Sequence, residues 1–256
     1  MKQIPNIFTL LNLVFGCLAI VAIMQPGVDS DGQQWIMIPE KMYLASLFIA
    51  IAAVIDFLDG LIARIMNVAS EMGKQIDSLA DVVSFGVAPG MIIYQFLRLS
   101  YAQQQDGLDV NIGYLLPAFI VSCAGAYRLA RFNIDTQQTT NFKGVPIPAA
   151  GILVASFPLV YFFGETNGWL HSLMLNVWFW YALIIIVSVL MVSTLPMLAL
   201  KFKNVSLKKL LPFIIIAAAS IIAAIFLGWL AVPIGFIFYV ALSLVFAKNE
   251  KKESIV

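Results

Sequence analysis

Apolar positions along this chain come in long unbroken runs. They show neither the alternation of a half-buried strand nor the one-sided stripe of a soluble helix. A run of ~17–25 such residues crosses a bilayer as a helix. Eight stretches qualify, near 7–25, 42–66, 77–98, 113–133, 147–164, 174–200, 210–228 and 230–247. The last two meet around Gly228–Ala231, which predicts a helical hairpin, and Gly144, Pro146 and Pro148 break the chain ahead of the fifth. Unbroken runs exclude a barrel, whose strands would alternate in polarity. The expected fold is all-α, a polytopic membrane helix bundle in which each helix satisfies its own backbone groups.

Composition agrees: 61% of the 256 residues are hydrophobic and 11% charged, against about 45–50% and 25% in soluble domains. The net charge of +1 gives no footing for a nucleic-acid partner. Cys17 and Cys123 lie in apolar runs and are expected to be small, buried packing residues, neither bridged nor nucleophilic. His171, the one histidine, falls in a polar link. Ser/His and Cys/His catalysis therefore lack their parts, and carboxylate and metal chemistry remains. The first run follows Met1-Lys2 but no small-residue cleavage site ends it, so a retained helix is expected over a signal sequence. The tail KNEKKESIV reads as a solvated end.

Basic residues set the orientation. With the N-terminus inside, all of the 15 lysines and arginines except Lys41 and Arg98 fall on the cytoplasmic side. Asp29, Asp31, Glu40, Asp106, Asp109 and Glu165 fall outside. Eight spans with both termini cytoplasmic preserve this partition.

The polar exception is the stretch DFLDGLIARIMNVASEMGKQIDSLAD, residues 56–81. A carboxylate at the centre of a membrane helix costs ~2.5–3.5 kcal/mol, and this stretch carries Asp56, Asp59, Asp77 and Asp81. Asp56, Asp59, Gly60 and Ala63 share one helix face, and Asp77 and Asp81, four apart, share another. A short loop joins the two helices at the cytoplasmic rim, so the carboxylate pairs can converge. That many hard oxygen ligands suit Mg²⁺, Mn²⁺ or Ca²⁺, and two ions would form a clamp for phosphoryl chemistry. Gly60, Ala63 and Gly73 clear space for a base or a diphosphate, and Arg64 sits one turn past Gly60, where its planar fork suits phosphate. Taken alone, Gly60 and Ala63 would also suit close helix packing and Arg64 a cytoplasmic anchor.

This stretch resembles the signature of the CDP-alcohol phosphotransferase family, D-x-x-D-G-x-x-A-R-x8-G-x3-D-x3-D. Asp56, Asp59, Gly60, Ala63, Arg64, Gly73, Asp77 and Asp81 occupy its fixed positions. The segments PNIFTLLNLVFG, DSLADVVSFGVAPG, YRLARFN and FKGVPIPAA are similar to those of its integral-membrane phosphatidylserine synthase branch. The resemblance implies a six-span catalytic core over 1–200, with two added spans and a charged tail over 201–256. It implies transfer of the phosphatidyl group of CDP-diacylglycerol to the hydroxyl of L-serine, with release of CMP. Two divalent ions, Mg²⁺ or Mn²⁺, would sit on Asp56, Asp59, Asp77 and Asp81, and Asp81 would act as general base. Gly60, Ala63, Arg64, Gly73 and Ser78 would form the nucleotide site, and Asn6 and Asn12 on the first span either add polar contacts or are ordinary helix-end residues. The serine carboxylate or the lipid phosphate needs a cation, and one or two of Arg128, Arg131 and Lys143, clustered at the expected rim, would supply it; the cluster would equally suit a plain cytoplasmic anchor. The expected setting is a bacterial-type inner membrane, with membrane lipid as surroundings and a homodimer as a compatible assembly. Three rival readings stand beside this one: a family member using glycerol phosphate or inositol phosphate, a cation-coupled transporter, and a non-catalytic lipid-binding protein.

Overall fold

A computed structural model describes residues 4–25, 41–66, 70–104, 109–135, 142–164, 168–197 and 207–253. Its helices are α1 (Ile4–Met24), α2 (Met42–Ile65), α3 (Glu71–Asp81), α4 (Ala88–Ala102), α5 (Ile120–Ile134), α6 (Ile147–Phe163), α7 (Gly168–Met174), α8 (Val177–Val192), α9 (Leu207–Leu227) and α10 (Ala231–Glu253). The fold is a helix bundle, as expected. Among the described residues five stretches are long and apolar enough to cross a membrane, or six if the bent pair α7–α8 is one span. α6 is apolar but shorter.

The interior is packed by aromatic and aliphatic side chains from α4, α6 and α8. Phe96 stacks on Trp180 with ring centroids 4.5 Å apart, and Phe157 meets the same indole edge-on. The indole Nε1 donates to Met174 O at 2.7 Å, which satisfies the buried polar end of that ring. The outward faces of α1, α2 and α8 expose Leu10, Val14, Val21, Val54, Ile185 and Val189. Such faces suit hydrocarbon and would be untenable in water.

Between α3 and α4 the chain is wound as a π-helix over Val82–Val87, and the Ala88 N–H bonds to Val83 O five residues back. Three helices converge on this turn. Gly16 of α1 lies directly against Ser84, so closely that a methyl there would overlap the serine side chain. On α6, a Cβ on Gly151 would sit 2.9 Å from Phe85 Cα. From α5, Ser122 Oγ donates to Gly86 O at 2.8 Å and takes up a carbonyl of the widened turn.

Several boundaries differ from the sequence expectation. The loop after α2 is shorter, because Ser70 caps α3 by accepting from Gly73 N at 3.0 Å and residues 71–76 are already helical. The fourth span begins as two 3₁₀ segments, Ile112–Tyr114 and Leu116–Phe119. The sixth is not one helix over 174–200: α7 and α8 meet at 68°, Asn176 caps α8 by accepting from Trp178 N at 2.9 Å, and α8 stops at Val192. Beyond it Pro196 and Met197 form a short antiparallel ladder with Lys143 and Phe142. Gly144, at φ +75°, turns the chain there, and a side chain in its place would strike Met191 O. Cys17 and Cys123 are free thiols but exposed, not buried: they lie on the outer surface of the bundle, where an apolar thiol can face lipid at little cost. The hairpin of α9 and α10 turns at Gly228 (φ +55°), and it brings Ser220 Oγ to 2.8 Å from where a Gly235 Cβ would be.

Candidate active site

α2 and α3 approach each other at their polar ends, and the aspartates converge as their spacing predicts. One carboxylate oxygen each from Asp56, Asp59 and Asp77 lies within 4.8 Å of the others. Asp81, one turn on from Asp77, is 6% exposed and lies in the field of Asp56, Asp77 and Asp59. Asp81 Oδ1 accepts from the Asn12 amide of α1 at 3.3 Å. No salt bridge to any of the four aspartates forms among the described residues. Asp59 Oδ2 and Asp77 Oδ1 are buried and have no hydrogen-bond partner. Buried carboxylate oxygens left unpaired, beside further carboxylates, lack a positive group. A hard divalent cation bound through oxygen fits this donor set.

The small residues of the stretch do different things. At Gly60 an added Cβ would meet only Arg64 Nη2, at 3.8 Å, so the missing side chain leaves open space and does not serve close helix packing. Arg64 is held over that space by its Nε, which donates to Gly60 O at 2.8 Å. Ala63 is half-buried on the same helix. At Gly73 a Cβ would lie 3.0 Å from both Asn6 Oδ1 and Ser70 Oγ, so the glycine lets α1 reach the start of α3. Ser78 is tied into the frame: it donates to Lys74 O at 3.1 Å and accepts from Asn133 Nδ2 at 2.8 Å.

Arg128, Arg131 and Lys143, of which one or two are expected to serve the acceptor or the lipid phosphate, differ in environment. Arg128 on α5 is 5% exposed, its Nε is unpartnered, and it faces Asp81 and Tyr239 electrostatically. Its guanidinium carbon lies 6.0 Å from the Phe132 ring centroid. Arg131 instead donates to Val192 O at 2.8 Å and Ser193 O at 3.0 Å, closing the end of α8. Lys143 pairs with Asp135 at 3.0 Å near the surface.

Three neighbours had no expected role. Thr9 is buried beside Asp59, Lys74 Nζ donates to Asn133 O at 3.1 Å, and Asn133 links α5 to Ser78. The signal for Thr9 was present in the chain: Asn6, Thr9, Asn12 and Gly16 form one small and polar stripe on an otherwise apolar helix. Asn133 carries no such signal, because its partner lies 55 residues away.

Known proteins share this sequence pattern. The chain is 34% identical over 161 residues to a CDP-diacylglycerol–serine O-phosphatidyltransferase of Bacillus subtilis, covering 63% of this chain and 78% of that protein. It is 34% identical over 196 residues to the protein of that name in Helicobacter pylori, covering 75% of this chain and 70% of that protein. It is 30% identical over 244 residues to the one in Mycobacterium bovis, covering 91% of this chain and 75% of that protein. The sequence model for CDP-alcohol phosphatidyltransferase matches residues 2–178, the part that carries every aspartate of the cluster, and the chain belongs to that family.

Proposed function

We propose that this membrane enzyme transfers the phosphatidyl group of CDP-diacylglycerol to the hydroxyl of L-serine, giving phosphatidylserine and CMP. The observation that carries the donor half is the aspartate cluster, with two buried and unpaired carboxylate oxygens, opening beside the vacant face of Gly60 under Arg64. The acceptor half is supported by the relatives, which are named for serine.

Asp56, Asp59 and Asp77, with Asp81 beside them, would hold divalent ions, Mg²⁺ or Mn²⁺ and two in number. Such ions neutralise a diphosphate and the charge that develops on its leaving group. The protein does the rest. Arg64 takes a phosphate of the nucleotide, and the face of Gly60 and Ala63 admits its base. The serine hydroxyl oxygen attacks the phosphatidyl phosphorus, the bond to the bridging oxygen of CMP breaks, and Asp81 receives the hydroxyl proton. General-base help of this kind contributes ~10²–10⁴-fold. Arg128, buried and with an unpartnered Nε, binds the serine carboxylate or the lipid phosphate. Leaving that buried Nε without a hydrogen-bond partner is costly, and a substrate anion would supply the partner.

A domain division and a membrane arrangement belong to the same proposal. Residues 1–200 form the catalytic core and 201–256 an added hairpin with its tail. Eight crossings of a bacterial-type inner membrane leave both termini and the site cytoplasmic. Arg64, Lys74, Arg128, Arg131 and Lys143 belong to the end of the bundle that holds the aspartates, as cytoplasmic placement requires.

Incubation of the purified protein with CDP-diacylglycerol, labelled serine and Mn²⁺ or Mg²⁺ tests the proposal. Lipid-soluble label and free CMP in equal amounts are expected. Transfer to glycerol phosphate or inositol phosphate but not to serine would refute the acceptor, and no CMP release with any alcohol would refute the reaction.

A further inference from the structure

Asn12 is fully buried in the middle of a helix whose other face meets lipid. An amide is expensive to bury unless it is hydrogen-bonded. Its Nδ2 donates to Asp81 Oδ1 at 3.3 Å, while its Oδ1 has no partner. Its backbone carbonyl accepts from Ser84 Oγ at 3.0 Å, and Ser84 is also fully buried. One turn on, Gly16 abuts the same serine. α1 is therefore pinned at two points, to Asp81 at the last residue of α3 and to Ser84 inside the π-helical turn. Asp81 sits where the helix changes its winding, and Asn12 bridges the two sides of that change.

We infer that Asn12 is a positioning residue for Asp81, holding the carboxylate in the orientation that meets the acceptor hydroxyl. The inference rests on the phosphatidyl-transfer reading, in which Asp81 takes the proton. Asn12 has no exposed surface from which to touch a substrate, so it acts through Asp81. A bare packing role is a poor alternative, since an apolar residue of similar volume would fill the place without an unpaired Oδ1.

The test uses Asn12→Leu, which keeps the branch at Cγ and removes the amide, and Asn12→Ser as a smaller polar variant should the bulkier leucine not fold. Loss of ~10-fold or more in kcat is expected, within the range of base assistance. KM for CDP-diacylglycerol, Mn²⁺-dependent binding of soluble CDP by calorimetry and the detergent Tm should stay close to the parent. In an Asp81→Asn background the Asn12 substitution should add little, because residues that act as a unit are not additive. Unchanged kcat in the folded variants would overturn the inference. So would a fall in CDP binding that matched the fall in kcat, or full multiplication of the two effects. If Asp81→Asn itself turned over normally, the general-base reading would fail. A dead Asp81→Asn beside a fully active Asn12 variant would remove this inference alone.

Discussion

At Gly60 an added side chain would enter open space, with the Arg64 guanidinium as its nearest neighbour. Gly60→Leu should therefore leave the detergent Tm nearly unchanged while raising KM for CDP-diacylglycerol by ~10-fold or more, as a filled subsite loses the binding contacts it excludes. A stability loss with normal KM would return Gly60 to a packing role. Asp81→Asn should fold, bind Mn²⁺ and nearly abolish transfer, and EDTA should stop the parent enzyme. Activity that survives chelation would remove the metal from the mechanism. Arg128 and Arg131 are three apart on one helix yet differ in environment. Arg128→Ala should raise KM for serine or lower turnover without much loss of Tm. Arg131→Ala should lower Tm, since it strips two charge-assisted bonds from the end of α8, each contributing ~1.5–3 kcal/mol. Kinetics that fell equally for both would place Arg131 in the site as well.

The element that organises the bundle is the π-helical turn Val82–Val87, which directly follows Asp81. Its one extra residue re-aims everything that follows, so α4 packs into the core while α3 presents its aspartates toward α1 and α2. Glycines on α1 and α6 make room for it. Gly151→Ala would bring a methyl 2.9 Å from Phe85 Cα, a backbone atom that cannot rotate away. Overpacking of this kind costs ~1–3 kcal/mol. A drop in Tm is expected, with activity falling in proportion to the folded fraction. Retention of the parent Tm would mean that the turn is free to shift. No property of the sequence VVSFGV announces a π-helix, because local propensity does not separate i→i+5 from i→i+4 bonding. The packing of Gly16, Ser122 and Gly151 around the turn selects it.

Across the whole molecule the chain is polarised. The aspartates gather at one end with Arg64 and Arg128, while Tyr101, Tyr181 and Tyr114 share hydrogen bonds elsewhere: Tyr101 Oη lies 2.9 Å from Tyr181 Oη, which reaches Tyr114 O at 2.7 Å. The proposed orientation predicts the outcome of cysteine labelling in sealed vesicles on a background lacking Cys17 and Cys123. A cysteine at Lys143→Cys should react with a membrane-impermeant maleimide only from the cytoplasmic side, and one at Lys41→Cys only from the opposite side. Labelling of both from one side would break the eight-span arrangement. The hairpin α9–α10 is part of the packed body, since Phe236, Tyr239 and Val240 rest on the core cluster. Its electrostatic contact with Arg128 through Tyr239 could not be read from hydropathy, which treats a span as a span.

Much was determined by the sequence alone, and for a physical reason. Solvation in hydrocarbon is unforgiving, so span-length apolar runs must be helices and a cluster of four aspartates must have a counter-charge. Helical spacing then put each pair of carboxylates on one face, and the short link after α2 brought the faces together. The tertiary structure decided what depends on contacts distant in sequence. It set the cap at Asn176, the bend of α7 against α8, the outward placement of Cys17 and Cys123, and the diversion of Arg131 to the end of α8. It also set the burial of Asn12 against Asp81. Each of these is a choice between conformations of similar local energy, and only a neighbour from elsewhere in the chain can make it.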